Sequence, residues 1–168
     1  PVVFLHAGTG SARVWTNQIA AFKAAGFRFI AYDRRGYGRT TVIPGGTVAT
    51  AADDLDAFMT HLGIRQFHLV GTAAGGGVAI EDALAFPKRL RSLTIANSVG
   101  NVSDSTYRAT LRRMVPATFD SLPPDVRELG PSYRASNERG TQRWLDLEHF
   151  SRAPGPRPVR QPSKVNVT

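Results

Sequence analysis

The first hundred residues alternate between short apolar runs and longer segments in which apolar residues recur every three to four positions. The short runs are rich in β-branched and aromatic residues, which is typical of strands buried on both faces. They occur at Val2–His6, Phe27–Tyr32, Gln66–Val70 and Leu90–Ala96. We therefore expect an α/β fold with a mostly parallel sheet and helices on both faces.

The segments between these runs have the periodicity of amphipathic helices. The predicted spans are Trp15–Gly26, Thr50–Gly63 and Gly75–Phe86, with Thr50 as the N-cap of the second. Strands and helices that alternate in this way form right-handed crossovers. Ligands in such folds bind at the carboxyl ends of the strands, so we look for functional residues there.

The pattern changes after the fourth strand. Two amphipathic segments, Asp104–Val115 and Thr141–Phe150, predict helices joined by the proline-bearing stretch Pro116–Pro131. From Ala153 onward the density of proline predicts a frayed tail, because proline removes backbone donors and fixes φ. The chain thus divides into a core part (1–100), a helical segment (101–150) and a proline-rich tail (151–168).

Composition narrows the class of protein. The 168 residues, 42% of them hydrophobic, suffice for one domain with its own core. The net charge of +8 is spread along the chain without a basic stripe, so we predict no nucleic-acid partner.

No apolar run approaches the roughly 20 residues that span a bilayer, so we predict no membrane partner and favour a cytoplasmic location. Cysteine is absent, and no histidine or carboxylate grouping has metal-ligand spacing, so neither metal nor cofactor is predicted.

The segment 67–77 passes from a predicted strand to a predicted helix through small residues. Gly71 and Gly75 lie two positions before and two positions after Ala73. This spacing resembles the nucleophile elbow Gly-x-Ser-x-Gly, in which small flanking residues let strand and helix approach closely. Ala73 occupies the position of the serine.

Two further motifs precede this turn. The run Val3–Gly8 resembles a strand followed by a His-Gly-x turn, and Tyr32–Arg39 resembles an Asp-x-Arg-Gly-x-Gly-x-Ser loop. With the elbow, these motifs follow the order found in the α/β-hydrolase superfamily. The chain resembles the N-terminal part of such a protein over residues 1–100, truncated before the last strands, and residues 101–150 resemble its helical cap.

The resemblance implies hydrolysis of an ester, amide or related carbonyl bond in a small-molecule substrate. It assigns the oxyanion amides to Gly8 and Ala74, the support of the oxyanion turn to His6, and the nucleophile position to Ala73. An alanine methyl cannot attack a carbonyl. The family's acid and base follow later strands, and no histidine of this chain holds the base position, so we expect the chain as written to be inactive.

Several other polar residues invite a catalytic reading. Thr72, beside Ala73, is expected to pack within the sheet instead of acting as a nucleophile. Asp33 is expected to brace its own loop, and His68 to be a satisfied sheet residue. His61 and His149 are expected at the surface.

Three explanations of Ala73 remain open: a natural relative without a nucleophile, an engineered substitution, or a degenerate fragment. The exposed edge of a truncated sheet could also self-associate.

A rival enzyme class is suggested by Gly71-x-x-x-Gly75-x-Gly77, which matches the glycine pattern of short-chain dehydrogenases. Two strands precede it and Asn97 replaces the ribose-binding acid, which weighs against that class. A third reading is a non-catalytic module that binds a small apolar ligand.

Overall fold

A computed structural model describes residues 1–43, 45–46, 48–100 and 102–152. Its centre is a four-stranded sheet in the order β2-β1-β3-β4, in which every neighbouring pair is parallel. The α/β class with a parallel sheet and all four predicted strands are confirmed. The predicted proline-rich tail from 153 onward lies outside the described residues. The strands are β1 (Val2–Leu5), β2 (Phe29–Ala31), β3 (Phe67–Thr72) and β4 (Leu90–Ala96).

Helices connect and follow these strands. No helix in the described ranges is long and apolar enough to cross a membrane. Short 3₁₀ helices span Ala12–Gln18, Pro87–Arg89 and Phe119–Ser121. The α-helices described are α1 (Ile19–Ala24), α2 (Ala51–His61), α3 (Ala74–Ala85), α4 (Ser105–Met114), α5 (Pro124–Glu128), α6 (Pro131–Ser136) and α7 (Glu138–Ser151).

The boundaries of two predicted helices differ because of capping side chains. The first helical segment begins as a 3₁₀ helix at Ala12, where Ser11 Oγ accepts the amide of Arg13 at 3.3 Å. The last helix begins before the predicted Thr141, because Asn137 Oδ1 accepts the amide of Gly140 at 2.8 Å. The stretch 116–131, predicted as a connection, also contains helical turns. One of them is α5, which starts at Pro124, and proline is suited to the first helical position.

Both faces of the sheet are covered where β1 and β3 lie. On one face Leu5 and Leu69 are fully buried together with Leu55 of α2 and Ala79 of α3. On the other face Phe4 contacts three aromatic rings at centroid distances of 4.4–5.0 Å. These rings belong to Trp15, Phe22 and Phe29.

Helix α2 starts where the sequence predicts. Thr50 Oγ1 accepts the amide of Asp53 at 3.1 Å, and Asp53 Oδ2 accepts the amide of Thr50 at 2.9 Å. This reciprocal capping box satisfies two of the backbone donors that a helix start leaves free. The helix then buries Leu55 and Met59 against the sheet, so the cap fixes which face points inward.

Strand β4 is the outer strand of the described sheet on the α3 side. It pairs with β3 alone among the described strands, and its residues 91–96 are all exposed. Leu93 and Ile95 retain 39% and 36% of their accessible surface. An exposed apolar edge is a template for pairing with another chain. Self-association through this edge stays a prediction.

We expect the sedimentation coefficient of the chain to rise with protein concentration, and Thr94→Lys, which places a charge on the β4 edge, to suppress that rise. Thr106→Lys on α4 adds the same charge at another exposed position and is the matched control. A wild-type sedimentation coefficient independent of concentration would contradict the prediction, as would equal suppression by both variants.

A buried carboxyl lies on the inward face of α3. Asp82 is 1% exposed, and neither of its oxygens has a hydrogen-bond partner within the described residues. Burial, and then the nearby Asp56 carboxylate, raises the pKa of Asp82 from 3.8 to about 7, while the Arg89 guanidinium opposes the shift. The fold therefore favours the protonated acid.

Between pH 4 and 7 the folded chain keeps a proton on Asp82 that the unfolded chain releases, so its stability falls as pH rises across this range. We expect Asp82→Asn, which mimics the neutral acid, to raise the free energy of unfolding relative to wild type by up to about 4 kcal/mol at pH 8 and by little at pH 4. Urea denaturation at both pH values measures the difference. The control is Asp120→Asn, which removes the same charge at an exposed position. An effect of Asp82→Asn on the free energy of unfolding that is the same at both pH values would refute the raised pKa of Asp82.

Candidate active site

The candidate site lies at the carboxyl edge of the sheet. His6 directly follows β1, Asp33 lies two residues beyond β2, Ala73 directly follows β3, and Ser98 lies two residues beyond β4. Because the four strands are parallel, these residues are brought to the same edge, where ligands bind in open α/β sheets. The turn predicted from the Gly71–Gly75 spacing is therefore at the expected end of its strand.

Ala73 forms a sharp turn between β3 and α3. Its backbone has φ of 48° and ψ of −116°, a region that residues with a Cβ rarely adopt. Such a conformation costs on the order of 1–3 kcal/mol and persists only when surrounding structure imposes it. The amide of Ala73 donates to Ala96 O at 3.1 Å, which extends the β3–β4 ladder into the turn. The chain thus turns sharply from β3 into α3 at this residue.

Two glycines allow this turn because helix α3 starts in contact with backbone. A Cβ at Gly75 would lie 2.7 Å from His6 O and closer still to Leu5 O, and a Cβ at Gly71 would lie 2.9 Å from Ala79 Cβ. Real Cβ atoms do not approach other atoms this closely. Glycine at 71 and 75 is therefore a steric requirement of the packing among β1, β3 and α3.

Ser98 holds the carbonyl of the turn residue, a contact that sequence reasoning missed. Its Oγ donates to Ala73 O at 2.6 Å and accepts the amide of Gly100 at 3.2 Å. Asn97, just before it, has φ of 49° and bends the chain after β4. A serine two residues beyond the strand adjacent to β3 was the available signal, since parallel strands end side by side.

The two predicted oxyanion residues lie next to each other. A Cβ built on Gly8 would be 3.7 Å from the Cβ of Ala74, the first residue of α3. Within the described part of the chain, neither the Gly8 amide nor the Ala74 amide has a hydrogen-bond acceptor. The amides at a helix start carry partial positive charge. The turn after β1 and the start of α3 therefore bring two free donors to one place.

His6 is fully buried beneath this turn, and its hydrogen bonds fix its proton. The backbone amide of Arg34 donates to Nε2 at 3.1 Å, so Nε2 is unprotonated. Nδ1 then carries the proton and donates to Ala7 O at 2.7 Å. The Arg34 guanidinium also donates to Ala7 O, at 3.2 Å. The His6 ring thus joins the turn after β1 to the loop after β2, and both of its nitrogens are engaged.

Asp33 braces its own loop, as predicted. One carboxylate oxygen accepts the amide of Ala12 at 2.7 Å and the other accepts the amide of Arg39 at 3.0 Å. These bonds tie the loop after β2 to the start of the first 3₁₀ helix. With both oxygens engaged by backbone amides, Asp33 has a structural role at this edge of the sheet.

The end of α7 docks on the same loop. The amide of Gly38 donates to Ser151 O at 3.2 Å, and Tyr37 forms an isolated antiparallel bridge with Arg152. The Tyr37 ring also meets the His6 ring edge to face at a centroid distance of 4.9 Å. Helix α7 therefore contacts the loop after β2, and Tyr37 of that loop packs against His6.

The remaining candidates have other roles. Thr72 pairs with Ala96 inside β3, so it belongs to the sheet ladder. The Nδ1 atom of His68 lies 2.8 Å from Ser92 Oγ, in a hydrogen bond between β3 and β4. His61 and His149 are exposed, as predicted. The described residues include no cluster of three or more histidine, aspartate or glutamate side chains able to hold a metal ion.

The fold corresponds to a known family. The model of the alpha/beta hydrolase fold family matches residues 1–149, which is most of the chain. The chain belongs to this family.

Relatives in sequence carry several names. The chain is 41% identical to a putative carbamate hydrolase RutD from Caulobacter sp. (strain K31) over 98 residues, which are 56% of this chain and 36% of the relative. It is 32% identical to a putative non-heme bromoperoxidase BpoC from Mycobacterium tuberculosis over 153 residues, which are 90% of this chain and 53% of the relative. The chain spans about a third to a half of the length of these proteins.

Solved structures show the same fold. A thermophilic esterase from Thermogutta terrifontis superposes with a TM-score of 0.67 at 25% identity, covering 95% of this chain and 60% of the esterase. An esterase from Exiguobacterium antarcticum gives a TM-score of 0.66 at 23% identity, covering 90% of this chain and 60% of the esterase. At 23% identity, the similarity to the Exiguobacterium antarcticum esterase shows a shared fold only.

The packing at Gly75 generates a stability test. Gly75→Ala places a methyl against the carbonyl oxygens of Leu5 and His6, and backbone must move to admit it. We expect the free energy of unfolding to fall by about 2–4 kcal/mol. Gly130→Ala, where nothing lies within 4 Å of the added Cβ, is the matched control and should change stability by less than about 1 kcal/mol. Urea denaturation measures both, and equal losses would contradict the close approach.

Proposed function

We propose that position 73 is the reaction centre of a carbonyl-hydrolase site, with the amides of Gly8 and Ala74 as the oxyanion hole and His6 as the support of the oxyanion turn. The reaction class is hydrolysis of an ester, amide or related carbonyl bond in a small molecule. With alanine at position 73, this chain binds the carbonyl group and does not form an acyl-enzyme. The observation that carries the proposal is the strained backbone of Ala73 at the junction of β3 and α3.

The chemistry of acyl transfer matches what this edge of the sheet offers. Attack on a carbonyl moves negative charge onto its oxygen, and prearranged backbone donors stabilise that charge. Gly8 and Ala74 are adjacent and have no competing acceptor among the described residues. The partial positive charge at the start of α3 acts in the same direction. Neither contribution depends on a side chain at positions 8 or 74.

Alanine removes the covalent step and leaves the binding step. The methyl of Ala73 has no lone pair with which to attack, and no base can activate it. The two amides and the helix dipole belong to the backbone and are unaffected by that substitution. This supports binding of a carbonyl or carboxylate ligand by the chain without turnover. The alternative of a non-catalytic, ligand-binding relative makes the same prediction.

The names of two of the relatives favour the same chemistry, and a third is named a bromoperoxidase. Carbamate hydrolase and esterase both denote cleavage at a carbonyl carbon, and both names are attached to proteins that share this chain's family or fold. A dehydrogenase would need the start of α3 for a dinucleotide phosphate. Two strands precede this turn and Asn97 stands in place of the ribose-binding acid, which weighs against that class.

The decisive test restores the nucleophile. Ala73→Ser, in a chimaera of residues 1–152 with the C-terminal half of a family esterase that supplies acid and base, should hydrolyse short p-nitrophenyl esters with an initial burst of acyl-enzyme. The same chimaera with Ala73 is the matched control. We expect the serine form to be faster by about 10³-fold or more, because only it can form the covalent intermediate.

A binding measurement keeps the proposal testable if the chimaera does not fold. Acetate carries the charge of an oxyanion, so its titration into the ¹⁵N-labelled chain should shift the amide signals of Gly8 and Ala74 together and saturably. Acetamide, which is neutral, should shift them less. Saturable binding of NAD(P) at the start of α3, or acetate shifts that leave both amides unmoved, would overturn the proposal.

A further inference from the structure

A second cleft lies between the first 3₁₀ helix, Ala12–Gln18, and the pair α6–α7. Its volume is about 710 Å³, within the range of about 300–1,000 Å³ that small-molecule sites occupy. Gly8, Ala73 and Ala74 are not among the residues that line it. This cleft is therefore separate from the candidate active site.

The charges that line this cleft have one dominant sign. Arg13 projects from the 3₁₀ helix, and Arg139 and Arg143 from α7, while Glu138 is the only acidic residue of the lining. None of the three arginines forms a salt bridge or hydrogen bond through its side chain with another described residue. Both walls therefore carry arginines that have no ion-pair partner among the described residues.

Arg13 is positioned by an aromatic contact, whereas Arg139 and Arg143 are brought close together by their spacing on α7. Arg139 and Arg143 are four residues apart on one helix, so their side chains share a face, where like charges repel by about 0.2–0.5 kcal/mol. The Arg13 guanidinium extends from the 3₁₀ helix and lies over the ring of Phe150 near the end of α7, 3.5 Å from its centroid. A cation positioned on an aromatic ring loses less freedom when it binds an anion. An anion placed between the walls would relieve the repulsion along α7.

The residues that line the cleft also favour a particular kind of ligand. Guanidinium groups pair with the two oxygens of a carboxylate in bidentate geometry. Val14, Trp144 and Leu147 add apolar and aromatic surface to the same cleft. An inorganic anion would leave this surface without a contact, whereas an organic anion with a flat apolar body would cover it.

We propose that the cleft between the first 3₁₀ helix and α6–α7 is a binding site for a small organic dicarboxylate, whose charged groups pair with Arg13, Arg139 and Arg143 and whose apolar body contacts Trp144. The site uses none of the residues assigned to carbonyl chemistry, so it stands or falls independently of the proposed function.

Isothermal titration calorimetry of the wild-type chain with benzene-1,3-dicarboxylate tests the proposal. Benzene-1,3-dicarboxamide has the same shape without the charge and is the matched ligand. We expect one dicarboxylate per chain, with an affinity at least ~10-fold above that of the diamide, which corresponds to about 1.4 kcal/mol. Raising the salt concentration should weaken binding of the diacid and leave the diamide unchanged.

Substitutions then locate the site. Arg139→Gln and Arg143→Gln should each weaken dicarboxylate binding, and the double variant should weaken it ~10-fold or more. Arg108→Gln on α4 removes the same charge at an exposed position outside the cleft and should leave the affinity within about twofold. Circular dichroism shows whether each variant is folded.

Three results would overturn the proposal. These are no binding heat with the folded wild-type chain, equal affinity for diacid and diamide, and equal weakening by Arg108→Gln and the cleft variants. The last result would assign binding to the net charge of the chain, since Arg108→Gln and each single cleft variant lower that charge by the same amount. None of the three bears on the acetate shifts of Gly8 and Ala74, so failure here is distinguishable from failure of the proposed active site.

Discussion

The structure depends on one close approach, that of the first turn of α3 to the end of β1. The absence of a Cβ at Gly75 lets the helix backbone touch the carbonyl oxygens of Leu5 and His6. With the helix held there, the chain leaving β3 has room for a single connecting residue, and Ala73 adopts a conformation that is costly for a residue with a side chain. The strain at the centre of the site is thus imposed by packing in the sheet.

The same approach accounts for the electrostatics of the site. It places the start of α3 beside the turn after β1, where His6 and Arg34 hold Ala7 O from below. Backbone donors at a helix start keep their polarity whatever side chain the turn residue carries. Under the proposed function, the oxyanion donors and the nucleophile are therefore separable properties, because only the nucleophile depends on the side chain at position 73.

Much of this arrangement could be predicted from sequence, because it depends on local patterns. Apolar runs specify buried strands, Thr50 with Asp53 specifies the start of α2, and two glycines flanking residue 73 specify the turn. The contact of Ser98 with Ala73 O joins residues 25 positions apart, and no local pattern encodes it. Helix starts at Ala12 and Glu138 were missed because a single capping side chain outweighs the apolar periodicity on which the prediction relied.

The docking of α7 on the loop after β2 has a mechanical consequence. Gly38 and Tyr37 contact the last turn of the helix, Asp33 ties that loop to the first 3₁₀ helix, and the His6 ring lies against Tyr37. If α7 slides along its axis, it must either break these bonds or drag the loop with it, because each bond has a reach of a few ångströms. Helix α7 is thus mechanically coupled to the loop after β2 and, through Tyr37, to the His6 ring.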